Sequence, residues 1–482
     1  MFAINGIHDW GSPPSGELVT WNPSPVTLAK VREAPESDVP ISYQQAQHLR
    51  GYSEYAARGS EMARLFILSW DIPGRCDIRA MTHVINSYLR RHNTFHSWFD
   101  FKETRRIVRR TISDPKDIKL VPTKHGEITS EGWRTHVLAT PDPFRWDCFH
   151  FGAVQREDHF TFYASVDHVH TDAVLVGQVL VEIHMMYDAL AKGEAPIQLP
   201  ETASYDDYCV WQHEYLSALT MESPSVRAWV DFAQNNAGTL PHFPLPLGAP
   251  SVPATGDLLT VRLLDGEQTE RFESACVEAG VRFSGGVFAC AAIAEHELTG
   301  ADTYYVVTPI TTRRNPAEFV TTGWFTGLVP ITVPIGESAF GDIARAAQAS
   351  FDSGADLANV PFDHVLDMAP ASLGLKRPKM GVPMISYIDT GVPPLSPEII
   401  AQWDALNGKL HMDARAANQI GMWVNRSENE TAVTVMFPDN AVARESIARY
   451  MDAMKSAYVR VAEGREAVVP FANVAQLDLK PA

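Results

Sequence analysis

With 482 residues, 45% of them hydrophobic and 20% charged, the chain has the composition of a globular protein and is too long for one core, so we expect two domains of about 200 residues each. Its formal net charge of −18 argues against non-specific binding to nucleic acid and against broad adhesion to an anionic membrane. No stretch has the roughly 20 apolar residues of a membrane span, so no transmembrane segment is expected.

The cysteines and the N-terminal segment bear on location. The 5 cysteines are scattered, odd in number and without CxxC spacing, which is typical of reduced thiols in a cytoplasmic protein. The N-terminal residues lack the basic region and apolar run of a secretory signal. We therefore expect a cytoplasmic protein, with peripheral attachment at the inner face of the membrane as the alternative.

The first half of the chain alternates predicted helices and strands. The clearest helix covers 77–92, where apolar residues recur at helical spacing. A polar helix begins at Ile41, and strands are predicted over 64–70 and 93–99. The strand 160–166 is aromatic and β-branched with no Gly or Pro, which is typical of a buried strand. The apolar stretch 173–187 that follows predicts a mostly buried helix.

The clearest linker is 241–256, PHFPLPLGAPSVPATG, which is dense in Pro and has no periodicity. We place the domain boundary near it: an N-terminal lobe over 1–220, a linker region over 221–256, and a C-terminal lobe with crossover segments over 257–482. In the last of these we predict strands over 258–264, 303–309, 331–335, 385–388, 419–425 and 432–437, and helices over 268–279, 286–298, 342–357 and 441–458. This alternation predicts two α/β or α+β lobes.

Two imidazoles and two carboxylates stand between strand 160–166 and the helix after it, in the sequence DHVHTD over 167–172. A loop at such a junction presents polar groups on a rigid base. The same residues are also ordinary turn and cap formers, and a lone His is often a satisfied core residue. Structural and functional interpretations both stay open from the motif alone.

A metal site is one functional interpretation, because His168-x-His170-x-Asp172 resembles the first ligands of the metallo-β-lactamase fold. That fold needs a further His where Ala173 stands, and later His ligands in Gly-His contexts. No downstream His follows a glycine, so no metal is predicted. The other functional interpretation is acyl transfer, in which neutral His168 accepts a proton from an attacking hydroxyl and Asp172 fixes the loop through an arginine elsewhere.

Several further segments carry a family resemblance, in order along nearly the whole chain. They are RHNTF at 91–95, DHVHTDA at 167–173, YDDY at 205–208 with WQ at 211–212, PITTR at 309–313 and GWFTGLVP at 323–330. Together they resemble the condensation-domain superfamily, whose fold is two chloramphenicol-acetyltransferase-like lobes. DHVHTDA is similar to its HHxxxDG motif, with Asp167 and Ala173 as the two departures. Neither departure removes His168 or Asp172.

A narrower resemblance is to mycobacterial polyketide-associated acyltransferases that build trehalose glycolipids. The segments that carry it are SYQQAQH at 42–48, HFPLPLG at 242–248, TGWFTG at 322–327, MWVNR at 422–426 and FPDN at 437–440. This branch resembles enzymes that move a long-chain acyl group from acyl-CoA to a hydroxyl of trehalose or 2-sulfotrehalose. The resemblance implies acyl-CoA as a cosubstrate, no cofactor, and a polyketide synthase as a further candidate partner.

The resemblance also implies roles for single residues. The lobes would form a V with a channel at their interface, His168 midway along it as the general base, and Asp172 turned away to pair with Arg313 or, as second choice, Arg314. Candidate channel or substrate residues are His170, Trp324, Thr326 and Trp423, with turn structure or core packing as the alternative. Arg314, or the cluster Lys376, Arg377 and Lys379, is a candidate for phosphate or sulfate contact, with a solvated loop as the alternative.

Two rival functions keep the same fold. Some condensation-like domains are binding modules for synthases, and an intact His168 and Asp172 argue against that role. Transfer to a lipid alcohol instead of a sugar is the other rival. The HxxxD pattern does not separate these acceptors, because it reports only the proton transfer.

Overall fold

The computed structural model describes residues 4–10, 15–102, 106–249, 255–336, 338–378, 381–390, 395–413, 415 and 419–465. Residues 250–254 of the predicted linker, Lys379 of the basic cluster and 466–482 of the predicted second lobe lie outside the described residues.

The strands are numbered in chain order. They are β1 (Ile4–Gly6), β2 (Gly16–Pro23), β3 (Leu65–Pro73), β4 (Ser97–Lys102), β5 (Arg106–Thr111), β6 (Leu120–Ile128), β7 (Phe149–Gln155), β8 (His159–Asp167), β9 (Gly256–Asp265), β10 (Thr303–Thr311), β11 (Thr326–Pro334), β12 (Val382–Asp389), β13 (Lys409–Met412), β14 (Gln419–Arg426) and β15 (Glu430–Pro438).

The α-helices are numbered in the same way. They are α1 (Pro25–Glu33), α2 (Tyr43–Ala57), α3 (Ile78–Arg91), α4 (Ser130–Leu138), α5 (Leu175–Val179), α6 (Met186–Ala191), α7 (Tyr205–Ser217), α8 (Pro224–Gln234), α9 (Gly266–Glu278), α10 (Phe283–Thr299), α11 (Pro316–Phe319), α12 (Phe340–Gly354), α13 (Phe362–Met368), α14 (Pro397–Ala405) and α15 (Ala441–Ala462). Short 3₁₀ turns occur at Ile7–Asp9, Asn93–His96, Pro115–Asp117, His168–His170, Ala355–Asn359 and Ala371–Leu373.

The first lobe is built on a seven-stranded sheet with the order β1-β13-β3-β8-β7-β2-β6. Strand β8 lies at its centre and is antiparallel to β3 and β7. Helix α3 packs its apolar face on this sheet, and Met81, Ile85 and Leu89 are fully buried in the same core as the strand residue Phe162. The helical stripe predicted over 77–92 is therefore the face that covers the sheet.

The second lobe is built on a six-stranded sheet with the order β11-β10-β12-β14-β15-β9. Helices α9, α10, α12 and α15 contribute to its core, where residues such as Phe288, Ile447 and Met454 are fully buried. Two lobes, each with helices packed on a sheet, agree with the predicted α/β or α+β fold class.

A segment of the second half completes the first sheet. Strand β13 lies between β1 and β3, parallel to the former and antiparallel to the latter. Helix α14 precedes it and buries Trp403 in the first lobe's core beside Trp70. Asp71 N also donates a hydrogen bond to Leu406 O at 2.7 Å. Residues 397–412 thus form a crossover within the predicted C-terminal lobe.

The local structure differs from the sequence prediction in three places. The region 221–256, predicted as a linker, contains helix α8, which begins with Pro224 at its first turn and buries Trp229. The predicted strand 93–99 begins with a 3₁₀ turn. The predicted helix 173–187 is interrupted by a π-helical segment, Leu180–Met185. A π-helical segment inside a helix is frequent at functional sites.

The composition predicted reduced cysteines and no membrane-spanning segment. All five thiols are free, and four of them are buried. No single described helix is long and apolar enough to cross a membrane; α9 and α10 pass that test only as a pair, and the chain bends by 98° between them.

A close backbone approach next to the lobe interface gives the first testable prediction. A Cβ at Gly327 would overlap the carbonyl oxygen of Ala358, a backbone atom that cannot rotate away. We expect Gly327→Ala to lower the free energy of unfolding by about 1–3 kcal/mol through overpacking. Gly341→Ala is the matched control, because its Cβ would make only ordinary van der Waals contacts, with the flexible end of Arg345 and with Ala279 Cβ. Urea denaturation followed by circular dichroism measures both, and equal stability of the two variants would contradict the steric argument.

Candidate active site

The turn after β8 carries His168. Strand β8 ends at Asp167, whose Oδ1 accepts a hydrogen bond from Val169 N at 2.9 Å and so caps the turn His168–His170. His168 N donates to Arg64 O at 2.8 Å, which ties the turn to the residue before β3. Gln45 Nε2 donates to Val169 O at 2.9 Å from helix α2. The turn is therefore fixed by its backbone from both sides.

The His168 imidazole is partly buried among aromatic rings. It stacks on Trp324 with ring centroids 3.8 Å apart and meets the edge of Phe66 at 4.8 Å. The ring of His48 lies 6.0 Å away. Burial, and next the His48 imidazole, lower the pKa of His168 to about 4, against the opposing effect of Asp172 and Asp167. His168 is thus neutral at physiological pH, the form that accepts a proton.

Asp172 lies two residues beyond the turn His168–His170 and faces the second lobe. Its Oδ2 accepts from Arg313 Nη1 at 2.7 Å and its Oδ1 from Arg313 Nη2 at 3.1 Å. Phe325 N and Thr326 Oγ1 also donate to Oδ2, at 2.9 and 3.3 Å. The carboxylate is 3% exposed, and its oxygens are committed to these donors. These hydrogen bonds join Asp172 of the first lobe to the second lobe.

The second-lobe loop that contains Trp324 is held at further points. Thr322 N donates to His92 Nδ1 at 3.1 Å, and His92 Nε2 lies 3.1 Å from Glu182 Oε2. Thr322 Oγ1 donates to Gln178 Oε1 at 2.9 Å. Glu182 belongs to the π-helical segment Leu180–Met185, so this segment takes part in the contact between the lobes. These bonds fix the loop that presents Trp324 to His168.

The other predicted site residues have different environments. His170 is buried, with Nδ1 3.1 Å from Thr94 Oγ1, and points into the first lobe's core. Thr326 contacts Asp172. Trp423 packs on the first lobe's core. Arg314 does not pair with Asp172, its predicted second choice; it pairs with Glu318 and lies 4.1 Å over the Trp211 ring.

The structure also shows the contacts of the residues considered as metal ligands and as anion-binding groups. His168, His170 and Asp172 have separate partners. Within the described part of the chain, no three or more His, Cys, Asp or Glu side chains are placed to hold a metal ion. Of the predicted basic cluster, Arg377 pairs with Asp363 at 2.8 Å.

His48 and Arg64 also belong to the site, and neither was predicted as a site residue from the sequence. His48 Nε2 lies 2.8 Å from Asp167 Oδ1, and Arg64 Nη1 lies 2.7 Å from Asp167 Oδ2. Burial alone would raise the pKa of Asp167, but His48 and Arg64 hold it below the usual range. One signal was present in the sequence: the family motif has a His where Asp167 stands, and a buried carboxylate needs partners.

The Asp172–Arg313 pair gives a stability prediction. Asp172→Ala leaves the Arg313 guanidinium buried without its carboxylate, so we expect a loss of about 3–5 kcal/mol. Asp188→Ala is the control, because its pair with Lys192 is exposed on both sides and its loss should change the stability little. Urea unfolding monitored by tryptophan fluorescence compares the variants. A loss in Asp172→Ala no larger than in Asp188→Ala would show that the pair is not structural.

Comparisons with known proteins agree with this geometry. The condensation-domain family model matches residues 67–377. The chain is 55% identical over 464 residues to trehalose-2-sulfate acyltransferase PapA2 of Mycobacterium tuberculosis, covering 96% of this chain and 98% of that one. It is 54% identical over 460 residues to acyltransferase PapA3 of the same organism, covering 95% and 97%.

Among solved structures, the PapA2 acyl transferase superposes with a TM-score of 0.92 at 55% identity, covering 96% of this chain and 100% of that chain. The fold, the HxxxD turn and nearly full-length similarity therefore lead to one conclusion. This chain belongs to the condensation-domain family, together with the mycobacterial acyltransferases PapA2 and PapA3.

Proposed function

We propose that this protein is an acyltransferase that moves a long-chain acyl group from acyl-CoA to a hydroxyl of trehalose or 2-sulfotrehalose, with His168 as the general base. The observation that carries the proposal is the neutral imidazole of His168, fixed by its backbone where the central strand of the first lobe meets the second lobe. The names of PapA2 and PapA3 support the transfer, and that of PapA2 supports the sugar class.

The chemistry needs one proton acceptor. His168 takes the proton of the acceptor hydroxyl as its oxygen attacks the thioester carbonyl, and a tetrahedral intermediate forms. When the carbon–sulfur bond breaks, the imidazolium returns the proton to the departing thiolate. The products are the sugar ester and free coenzyme A, so no acyl-enzyme and no cofactor are required.

The other residues have supporting roles in this proposal. Asp172 holds the loop that carries Trp324, and Trp324 covers one face of the base. The substrates would approach along the lobe interface, the predicted channel. Because the donor is acyl-CoA, we place the reaction in the cytoplasm, with the inner membrane face as the place where a lipid product would leave.

The decisive experiment is a thiol-release assay with palmitoyl-CoA and, side by side, trehalose, 2-sulfotrehalose and a long-chain alcohol. We expect turnover with a sugar, reduced by about 10²–10⁴-fold in His168→Ala because the general base is lost. His136→Ala, on helix α4, is the matched control and should keep full activity. Release with the alcohol alone would assign a lipid-ester transferase, and silence with all three acceptors would favour a synthase-bound donor or a binding role.

The pH profile provides a second prediction. Lowering the pH protonates His168 and removes the base, and its pKa of about 4 keeps it neutral at higher pH. We expect the acidic limb of kcat/KM to lie below about pH 5, in contrast to the ordinary histidine value of about 6.5. Rates between pH 4.5 and 8.5, with circular dichroism to check folding at each pH, measure this. A limb near 6.5 in folded enzyme would contradict the lowering of the pKa of His168 by its surroundings.

A further inference from the structure

His48 occupies a position beside the catalytic turn that no part of the proposed reaction uses. It lies on helix α2, is 8% exposed, and places Nε2 2.8 Å from Asp167 Oδ1. Its ring is 6.0 Å from that of His168 and meets Trp324 edge-on at 5.5 Å. A second imidazole therefore contacts both the residue before His168 and the ring stacked on it.

Asp167 connects His48 to the backbone of the turn. Its carboxylate is fully buried and is bound by His48, by Arg64 and by Val169 N. Arg64 O in turn accepts the hydrogen bond from His168 N. A change at His48 thus reaches His168 through one carboxylate and two backbone contacts.

The charged and titratable groups around the base come from several elements. They are His48 from α2, Arg64 from the segment before β3, Asp167 at the end of β8, and Asp172 from the following loop with its partner Arg313. Asp413 lies behind them, with its carboxylate near Arg64 N and Arg415. Of these groups, His48 lowers the pKa of His168, whereas Asp172 and Asp167 raise it.

We infer that His48 is a positioning residue that, through Asp167, holds the turn of His168 in place and keeps the base free of a proton. The inference rests on the proposed function, because it assigns His48 a role in that reaction. The family motif has a His at the position of Asp167. In this chain the carboxylate of Asp167, at the end of β8, contacts an imidazole from helix α2, that of His48. The His48 imidazole, with its ring 6.0 Å from that of His168, lowers the pKa of His168 by charge repulsion.

The test separates the hydrogen bond from the charge. His48→Gln keeps an N–H donor for Asp167, but its amide cannot carry a positive charge. The pKa of His168 then loses the lowering effect of His48 and keeps the raising effect of Asp167. We expect the acidic limb of kcat/KM to move up by one to two pH units, which lowers the rate at pH 5 by about twofold to tenfold relative to the wild type while the rate at pH 8 changes little. His48→Ala also removes the donor and should lower kcat at every pH.

His213→Gln is the matched control. His213 Nε2 binds Ile41 O at 2.7 Å and so also anchors the start of α2, but it does not contact Asp167. We expect its pH limb to match that of the wild type. An unmoved limb in His48→Gln, or an equal shift in His213→Gln, would overturn the role of His48.

A measurement that needs no substrate separates this inference from the proposed function. The pKa of His168 is read by NMR from histidine labelled with ¹³C at Cε1, assigned with the His168→Ala variant. A raised pKa of His168 in His48→Gln supports the inference even if no acceptor turns over. An unchanged pKa in folded protein rejects it even if the acyl transfer is established.

Discussion

Asp172 of the first lobe and Arg313 of the second are both removed from water where the lobes meet, and the carboxylate also accepts from Phe325 N. Two buried charges are tolerated only while they remain paired, because a single unpaired charge is costly to bury. Together with the bonds of Thr322 to His92 and Gln178, the pair fixes how the lobes meet at this site. The stacking of Trp324 on His168 follows from that geometry, because Trp324 directly precedes Phe325.

The site contains two buried carboxylates with different tasks. Asp172 faces the second lobe and holds the contact between lobes, whereas Asp167 faces the first lobe and holds the turn itself. Each is matched by an arginine, Arg313 or Arg64. The imidazole between them is kept in place through the backbone of its turn, and in the proposed reaction its ring accepts the proton. In that proposal, the residues that hold the site rigid are different from the residue that reacts.

Local pattern and family resemblance predicted much of this arrangement. The spacing of apolar residues predicted helix α3, and the resemblance selected Asp172 and Arg313 as partners. The contact of His48 with Asp167 joins residues 119 positions apart, and no local pattern encodes such a distance. Helix α8 was hidden by the Pro-rich sequence around it. The four-residue strand β13 is too short to give a periodic signal of its own.

The place of β13 has a consequence for synthesis on the ribosome. Among the described strands, β1 pairs with β13 alone, with Ile4 beside Leu410, and β3 has an open edge until β13 is made. Growing chains emerge at about 5–20 residues per second, so these backbone groups wait on the order of tens of seconds for their partners. An exposed strand edge invites pairing with other chains during that time. A chaperone would accordingly protect this protein while its first lobe is complete but β13 is not yet made. A fragment that ends before Lys409 would leave the edge of β3 uncovered.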